Sequence, residues 1–172
     1  SHRWDGWVKR CPSLIHTTNL NCEAQHLTDV SYTLLTQLET LSLDNRGYWL
    51  TVFPPNLIRL NLGISMPHHR VWRRQVFPLS LQILDLEISQ QQSHQPIDLV
   101  LQPLTVLTHL QKLAIHRVLL EEPEACFPDL KHWHNLTNLC LRVTTVKIVH
   151  HILAAVPTTQ WYKLALNIEE EV

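Results

Sequence analysis

Leu57-Ile58-Arg59-Leu60-Asn61-Leu62 is the clearest copy of a Leu-x-x-Leu-x-Leu pattern that returns along this chain. With at most one substitution per copy, the pattern occurs six times, at start-to-start steps of 19, 24, 29, 26 and 25 residues. The copies are Leu38/Leu41/Leu43, Leu57/Leu60/Leu62, Leu81/Leu84/Leu86, Leu110/Leu113/Ile115, Leu136/Leu139/Leu141 and Trp161/Leu164/Leu166. An earlier, degenerate copy is predicted at Ile15/Thr18/Leu20. Recurrence at this spacing is typical of stacked repeats.

Each copy is predicted to be a short strand, in which the second and third leucines face inward and their neighbours face outward. Between the strands, apolar residues at helical spacing predict helices over residues 27–38, 96–110 and 145–157, with Pro103 breaking or kinking the second. Residues 1–12 are predicted to form a flanking amphipathic helix. Repetition of strand and helix predicts an α/β solenoid with parallel strands. We expect residues 1–172 to be a single domain of about seven irregular repeats, and a fragment of a longer chain.

The composition excludes several classes of protein. With 172 residues, 45% of them hydrophobic, the chain is expected to fold rather than to be disordered. Its formal net charge of -1 predicts no extended basic surface of the kind that binds nucleic acid or anionic lipid. No apolar run approaches the roughly 20 residues that cross a bilayer, so no membrane span is expected. The four cysteines lie far apart, which favours a reducing, intracellular and cytoplasmic location.

Together, these six copies make the chain resemble the leucine-rich repeat family over roughly residues 11–168. The resemblance implies a horseshoe, with parallel strands on the concave face and helices and irregular connectors on the convex face. The family consensus has an asparagine three positions after the last leucine of each strand, where its amide forms a ladder between loops. Here those positions hold Arg46, Ser65, Ser89, Val118, Thr144 and Glu169. The resemblance therefore implies irregular turns.

Short phrases also resemble two subfamilies. Lys9-Arg10-Cys11-Pro12-Ser13-Leu14 is similar to a phrase of F-box repeat proteins. Residues 35–41 and 53–60 are similar to repeats of plant nucleotide-binding immune receptors. Neither an F-box nor a nucleotide-binding module is present in these residues, so both subfamilies stay open as alternatives.

The outward strand residues are predicted to line up into a concave face that binds a partner protein. The expected partner-binding residues on this face are Asp44, Arg59, Asn61, Asp85, Glu87, Lys112, His116, Arg142 and Lys163. Asp44, Asp85 and Glu87 fall in the first half of the face. Lys112, His116, Arg142 and Lys163 fall in the second half, which predicts a charge gradient that orients a complementary partner. The central residue of each strand is small, leaving room for a partner to approach.

A second candidate surface is the basic stretch of residues 68–74, in which Trp72 and Arg73 are residue types that often dominate interface energies. The alternative is an amphipathic connector in which Val71, Trp72 and Val76 pack while the arginines are solvated. The sequence is compatible with both interpretations of residues 68–74, a partner-binding surface and an amphipathic connector.

No catalytic, cofactor-binding or metal-ligating set is expected. The chain has 12 histidines, but their adjacent pairs lack the carboxylate or cysteine that would complete a tetrahedral zinc site. No nucleophile elbow or phosphate-binding glycine loop is present, and Asp85 and Glu87 lie on an open face rather than in a pocket. We therefore expect a non-enzymatic recognition or scaffolding module. The alternative is the regulatory or targeting portion of a larger protein: a ubiquitin-ligase substrate receptor, an immune receptor, or an enzyme whose catalytic part lies outside this chain.

Overall fold

A computed structural model describes residues 16–23, 35–45, 53–64, 72, 75–88, 95–96, 101–121, 132–143, 150, 153–154 and 163–168. Within these residues, eight strands form one sheet in which every pair is parallel. The strands are β1 Asn19–Glu23, β2 Thr40–Asn45, β3 Arg59–Ile64, β4 Ile83–Ile88, β5 Gln95–Pro96, β6 Lys112–Glu121, β7 Asn138–Val143 and β8 Lys163–Ile168. The order across the sheet is β1-β2-β3-β4-β6-β7-β8, and β5 pairs with β6 off this path.

The strand register aligns the repeated leucines, as the sequence predicted. One row of paired positions runs through Leu41, Leu60, Leu84, Leu113, Leu139 and Leu164, and the next through Leu43, Leu62, Leu86, Ile115, Leu141 and Leu166. Because side chains alternate between the two faces of a strand, both rows fall on the same face. The unequal steps between copies are therefore absorbed by the connectors and do not change the register.

The predicted phase of the first repeat is wrong by two residues. Leu20 pairs with Leu41 and Cys22 with Leu43, so the first copy is Thr17/Leu20/Cys22 rather than Ile15/Thr18/Leu20. The backbone confirms the new phase: the carbonyl of Thr18 accepts from the amides at positions 39 and 40, as the carbonyl of Glu39 accepts from those at 58 and 59. Thr18 is exposed, whereas Leu20 packs against the core.

The core is a stack of aliphatic side chains closed by aromatic ones. Among the described leucines, those at the first, second and third positions of the copies from Leu38 to Leu141 are buried. On the turn side, Phe53 and Phe77 stack with ring centroids 5.5 Å apart, and Trp72 meets Phe77 edge-on at 5.7 Å. The indole Nε1 of Trp133 donates to the Leu104 carbonyl at 3.0 Å, joining successive repeats inside the core.

The same tight turn precedes five of the described strands, β2, β3, β4, β6 and β7. The amide of the first leucine in a copy donates to the carbonyl three residues earlier, in the pairs Leu38/Leu35, Leu57/Pro54, Leu81/Pro78, Leu110/Leu107 and Leu136/Trp133. This recurring bond closes the chain just before it enters the sheet. The described repeats therefore share both their turn and their register.

A ladder of side-chain hydrogen bonds joins successive turns, and we call it the turn ladder. Asn56 Nδ2 donates to the Thr36 carbonyl at 2.8 Å, and Asn135 Nδ2 donates to the Thr108 carbonyl at 3.0 Å. Ser80 Oγ occupies the equivalent position and lies 3.0 Å from the Pro55 carbonyl and 2.8 Å from the Leu57 carbonyl, and it donates its single proton to one of these two carbonyls of the preceding repeat. These residues immediately precede the first leucine of their copies, so the described cross-repeat bonds of the turn ladder lie before the strands.

The connectors differ from the predicted helices where the structure describes them. Of the helix predicted over 96–110, Pro96 belongs to β5, Leu101 is helical, Gln102–Leu104 forms a short 3-10 helix and 105–110 are turns, while 97–100 lie outside the described residues. Pro103, which was expected to break or kink this helix, lies in the 3-10 helix, where it has no amide to donate to a continuing α-helix. Residues 35–38 form a turn, so the helix predicted over 27–38 does not extend to its expected end.

The other predicted elements lie mostly or wholly outside the described residues. Within 145–157, the three described residues, His150, Leu153 and Ala154, are helical and exposed. The flanking helix of residues 1–12 lies outside the described residues. The consensus asparagine positions also lie outside them, apart from the backbone at position 118, where β6 continues instead of turning. In the described part of the chain, no helix has the length and apolarity to span a bilayer.

Candidate partner-binding face

The outward positions of the strands form three aligned rows, which we call the strand face. The first row is Asn19, Thr40, Arg59, Ile83, Lys112, Asn138 and Lys163; the second is Asn21, Ser42, Asn61, Asp85, Ala114, Cys140 and Ala165. The third row includes Asp44, Gly63, Glu87 and His116, and beyond the irregularity in β6, Arg142 pairs with Asn167. The register thus brings nine predicted partner-binding residues onto one face of the sheet.

Among the strand-face residues whose side chains the structure describes, all but one are partly or fully exposed. Arg59, Asn61, His116 and Lys163 are exposed, and most of the remaining described positions are half-buried. Alternation between this face and the leucine core follows from the two-residue period of a strand. The exposed polar rows therefore lie directly above the buried aliphatic rows.

Ala114 is the exception, because it is only 1% exposed although the sequence placed it outward. A methyl group stands lower than its strand neighbours Lys112 and His116, which project from the same face at both sides. Ala114 therefore forms the floor of a depression. The small residues of the second row do lower the middle of the strand face. In β6, however, Ala114 is too buried to be contacted by a partner.

Charge divides the strand face into two concavities. The first, of about 380 Å³, is lined by Asn21, Ser42, Asn61, Asp85 and Glu87. The second, of about 440 Å³, is lined by Lys112, His116, Asn138, Cys140 and Lys163. The acidic residues of the described lining thus fall in the first concavity and the cationic ones in the second. This arrangement agrees with the predicted charge gradient except at Arg59, an exposed basic residue of β3 on the same face.

One contact marks the boundary between the two concavities. His116 Nε2 lies 3.3 Å from Asp85 Oδ1, in a diagonal pair between β6 and β4 whose side chains are 46% and 31% exposed. An exposed pair of this kind contributes at most about 1 kcal/mol to stability. Next to it, Asn61 Nδ2 donates to Ser42 Oγ at 3.3 Å. Both contacts orient polar groups on the face without fixing the fold.

Trp72 is removed from the candidate surface, because it is 1% exposed and packs edge-on against Phe77 in the core. The alternative interpretation, an amphipathic connector, is therefore confirmed for Trp72. It is wrong for Val76, which is 63% exposed. Arg73 lies outside the described residues, so the structure does not place it.

Sequence reasoning missed Asn21 and Asn138 as lining residues of the two concavities. Asn21 was overlooked because the first repeat had the wrong phase, and aligning Leu20 with Leu41 would have placed it in the second row. Asn138 stands at the first outward position of β7, so the repeat pattern alone was enough to find it.

The described residues include no group of three or more His, Cys, Asp or Glu side chains that could hold a metal ion. Comparisons of the chain with protein-family models, with curated proteins and with solved structures find no match. The repeats and the strand face are therefore the features from which a function can be inferred.

Proposed function

We propose that this chain is a non-enzymatic recognition module of the leucine-rich repeat class, which binds another protein through the strand face. The observation that supports this most directly is the register: outward polar residues from seven successive strands align on one face above a buried aliphatic core. In this proposal the sheet is the inner, concave surface of a horseshoe. The spread of the four cysteines along the chain supports an intracellular location.

The dimensions of the strand face suit a protein partner better than a small molecule. Seven strands at about 4.8 Å, with three alternating residues over about 20 Å of each strand, give roughly 700 Å² of projected surface. A stable protein interface buries about 800 Å² on each side. The two concavities are open and shallow, whereas a drug-sized ligand is normally enclosed over most of its surface. The face is thus wide enough for one protein surface.

The charge gradient suggests how the partner is oriented. A partner with cationic groups toward Asp85 and Glu87 and anionic groups toward Lys112 and Lys163 would meet opposite charge in both concavities. Such complementarity raises the rate of encounter and disfavours the reversed orientation, where like charges would meet. We therefore expect both halves of the face to contribute to binding.

The test is affinity capture from a cell extract with two charge-neutralised variants of the strand face. Asp85→Asn with Glu87→Gln removes two negative charges, and Lys112→Gln with Lys163→Gln removes two positive charges. We expect each pair to reduce recovery of the same partner at least several-fold, and more strongly at low ionic strength because exposed charges are screened by salt. Recovery is measured by quantitative mass spectrometry.

Matched controls place the same change of charge away from the face. Thr108 and His109 are exposed in the turn before β6, so replacing both with Lys, or both with Glu, shifts the net charge by two without touching the three rows. These controls should retain the partner. Equal recovery by both face variants and by the controls would show that binding does not use the strand face.

A further inference from the structure

The first row of the strand face carries a cation on every second strand. From Arg59 of β3, the paired positions run through Ile83, Lys112, Asn138 and Lys163 on the next four strands across the sheet. Arg59 and Lys163 are exposed, and Lys112 is half-buried. We call Arg59, Lys112 and Lys163 the cation row. It joins Arg59, which does not fit the charge gradient, to the two lysines of the second concavity.

The charges of the cation row are not compensated within the described part of the chain. The seven aligned positions of the first row contain no acidic residue. Asp85, on the second row, lies 3.3 Å from His116 instead, and none of the three cations forms an ion pair with a described residue. The row is therefore complementary to a partner that carries negative charges along one line.

The spacing of the cation row restricts the backbone of such a partner. Neighbouring strands lie about 4.8 Å apart, so the Cα atoms of cations on every second strand are about 9.6 Å apart. A polyproline II segment has three residues per turn and rises about 3.1 Å per residue, so every third residue lies on the same side, about 9.3 Å further along. Residues on one side of a β-strand are about 6.6 Å apart, and every seventh residue of an α-helix is about 10.5 Å apart. The polyproline II repeat gives the closest match.

The residues between the cations suit the uncharged residues of such a segment. Ile83 is half-buried and presents apolar surface that a proline ring can cover. Asn138 lines the second concavity, and its Nδ2 donates one proton to Thr137 Oγ1 at 3.2 Å, which leaves a second N–H for a peptide carbonyl. A polyproline II backbone makes no internal hydrogen bonds, so its carbonyls are open to this donor.

We infer that the cation row binds an acidic polyproline II segment of the partner protein, with Asp or Glu at every third residue and the chain lying across strands β3 to β8. Each carboxylate pairs with one cation. Three acidic residues at this spacing span about 18.6 Å, and the cation row spans about 19.2 Å. The inference rests on the proposed function, because it specifies which part of the partner the strand face binds.

The test measures the fluorescence anisotropy of labelled heptapeptides with the full chain at low ionic strength. Glu-Pro-Pro-Glu-Pro-Pro-Glu has the inferred spacing, whereas Glu-Pro-Glu-Pro-Glu-Pro-Pro and Pro-Pro-Glu-Glu-Glu-Pro-Pro have the same composition with other spacings. We expect the first peptide to bind at least about 4-fold more tightly than either rearranged peptide, because only its three carboxylates reach the three cations together.

Single substitutions test each member of the cation row. Arg59→Gln, Lys112→Gln and Lys163→Gln should each weaken the first peptide by about 2- to 5-fold. Thr108→Glu is the matched control, since it lowers the net charge by the same amount at an exposed position in the turn before β6. This control should leave the affinity of the first peptide nearly unchanged. Circular dichroism confirms that the variants are folded.

The inference is overturned if no heptapeptide binds, if the rearranged peptides bind as tightly as the first, or if Arg59→Gln has no larger effect than Thr108→Glu. It is also overturned if a helical peptide with Glu at every seventh residue, or a single-stranded oligonucleotide, binds more tightly than the first peptide. If the charge-neutralised pairs of the capture experiment still lose their partner in any of these cases, the proposed function stands and only this inference fails.

Discussion

Replacing Leu84 with alanine tests the repeat core at its centre. Leu84 lies in β4 with 0% exposure, and its register partners on the two neighbouring strands are Leu60 and Leu113, which are equally buried. Leu84→Ala therefore removes side-chain volume from the middle of a continuous row. The neighbouring side chains are held by backbone pairing on both sides, so they have little freedom to fill the space.

The expected loss of stability follows from the removed atoms and the space they leave. Deleting three carbon atoms costs about 2.4 kcal/mol at about 0.8 kcal/mol per buried CH₂ group. An unrelaxed cavity of at most about 75 Å³ adds up to about 1.8 kcal/mol at about 24 cal/mol per Å³. The free energy of unfolding should therefore fall by about 2.4–4.2 kcal/mol for Leu84→Ala.

Urea denaturation followed by far-UV circular dichroism measures this difference, and Leu79→Ala provides the matched control. The same substitution at Leu79, which is 63% exposed in the turn before β4, should change the unfolding free energy by no more than about 0.5 kcal/mol. Equal losses for the two variants, or a loss below about 1 kcal/mol for Leu84→Ala, would refute the inward assignment of the leucine rows.

Two further changes test the bonds between repeats. Asn56→Ala removes a turn-ladder bond and should lower the free energy of unfolding by about 0.5–1.5 kcal/mol in urea denaturation. Asn61→Ala should cost less, because the exposed Asn61 amide bonds to the Ser42 hydroxyl on the strand face and not to a backbone carbonyl. Trp133→Phe removes the indole donor from the Leu104 carbonyl, which still accepts from the Leu107 amide, so we expect a loss of about 0.5–1.5 kcal/mol in the same assay. A neutral Trp133→Phe variant would mean that this bond between repeats does not contribute to stability.

The leucine register could be predicted from the sequence because it depends on spacing alone. Where a copy has three aliphatic residues at the expected positions, as at Leu57, Leu60 and Leu62, only one phase buries them all. The first copy has a single leucine, Leu20, so two phases fit it equally well in the sequence. The cross-strand pairing of Leu20 with Leu41 decides between them, and that is a tertiary contact.

The connectors could not be predicted in the same way, because aliphatic spacing in short segments fits several structures. Residues 96–110 show a helical pattern, yet among the described ones Pro96 lies in a strand and Gln102–Leu104 forms a 3-10 helix that contains Pro103. The family consensus implies a cross-repeat ladder after the strands, at positions that lie almost entirely outside the described residues. The described ladder lies before the strands, where Asn56 and Ser80 had no role assigned from the sequence.

The positions of these bonds explain why the strand face is free to vary. The aliphatic rows face inward, and the turn ladder joins backbone carbonyls to side chains that precede the strands, so neither depends on the outward rows. Substitutions at exposed positions such as Arg59 or Lys163 should therefore change stability by only about 0.5 kcal/mol. A fold whose stability is separated from its exposed face can acquire a new binding specificity without losing its structure. This separation is the physical reason to assign recognition to the strand face.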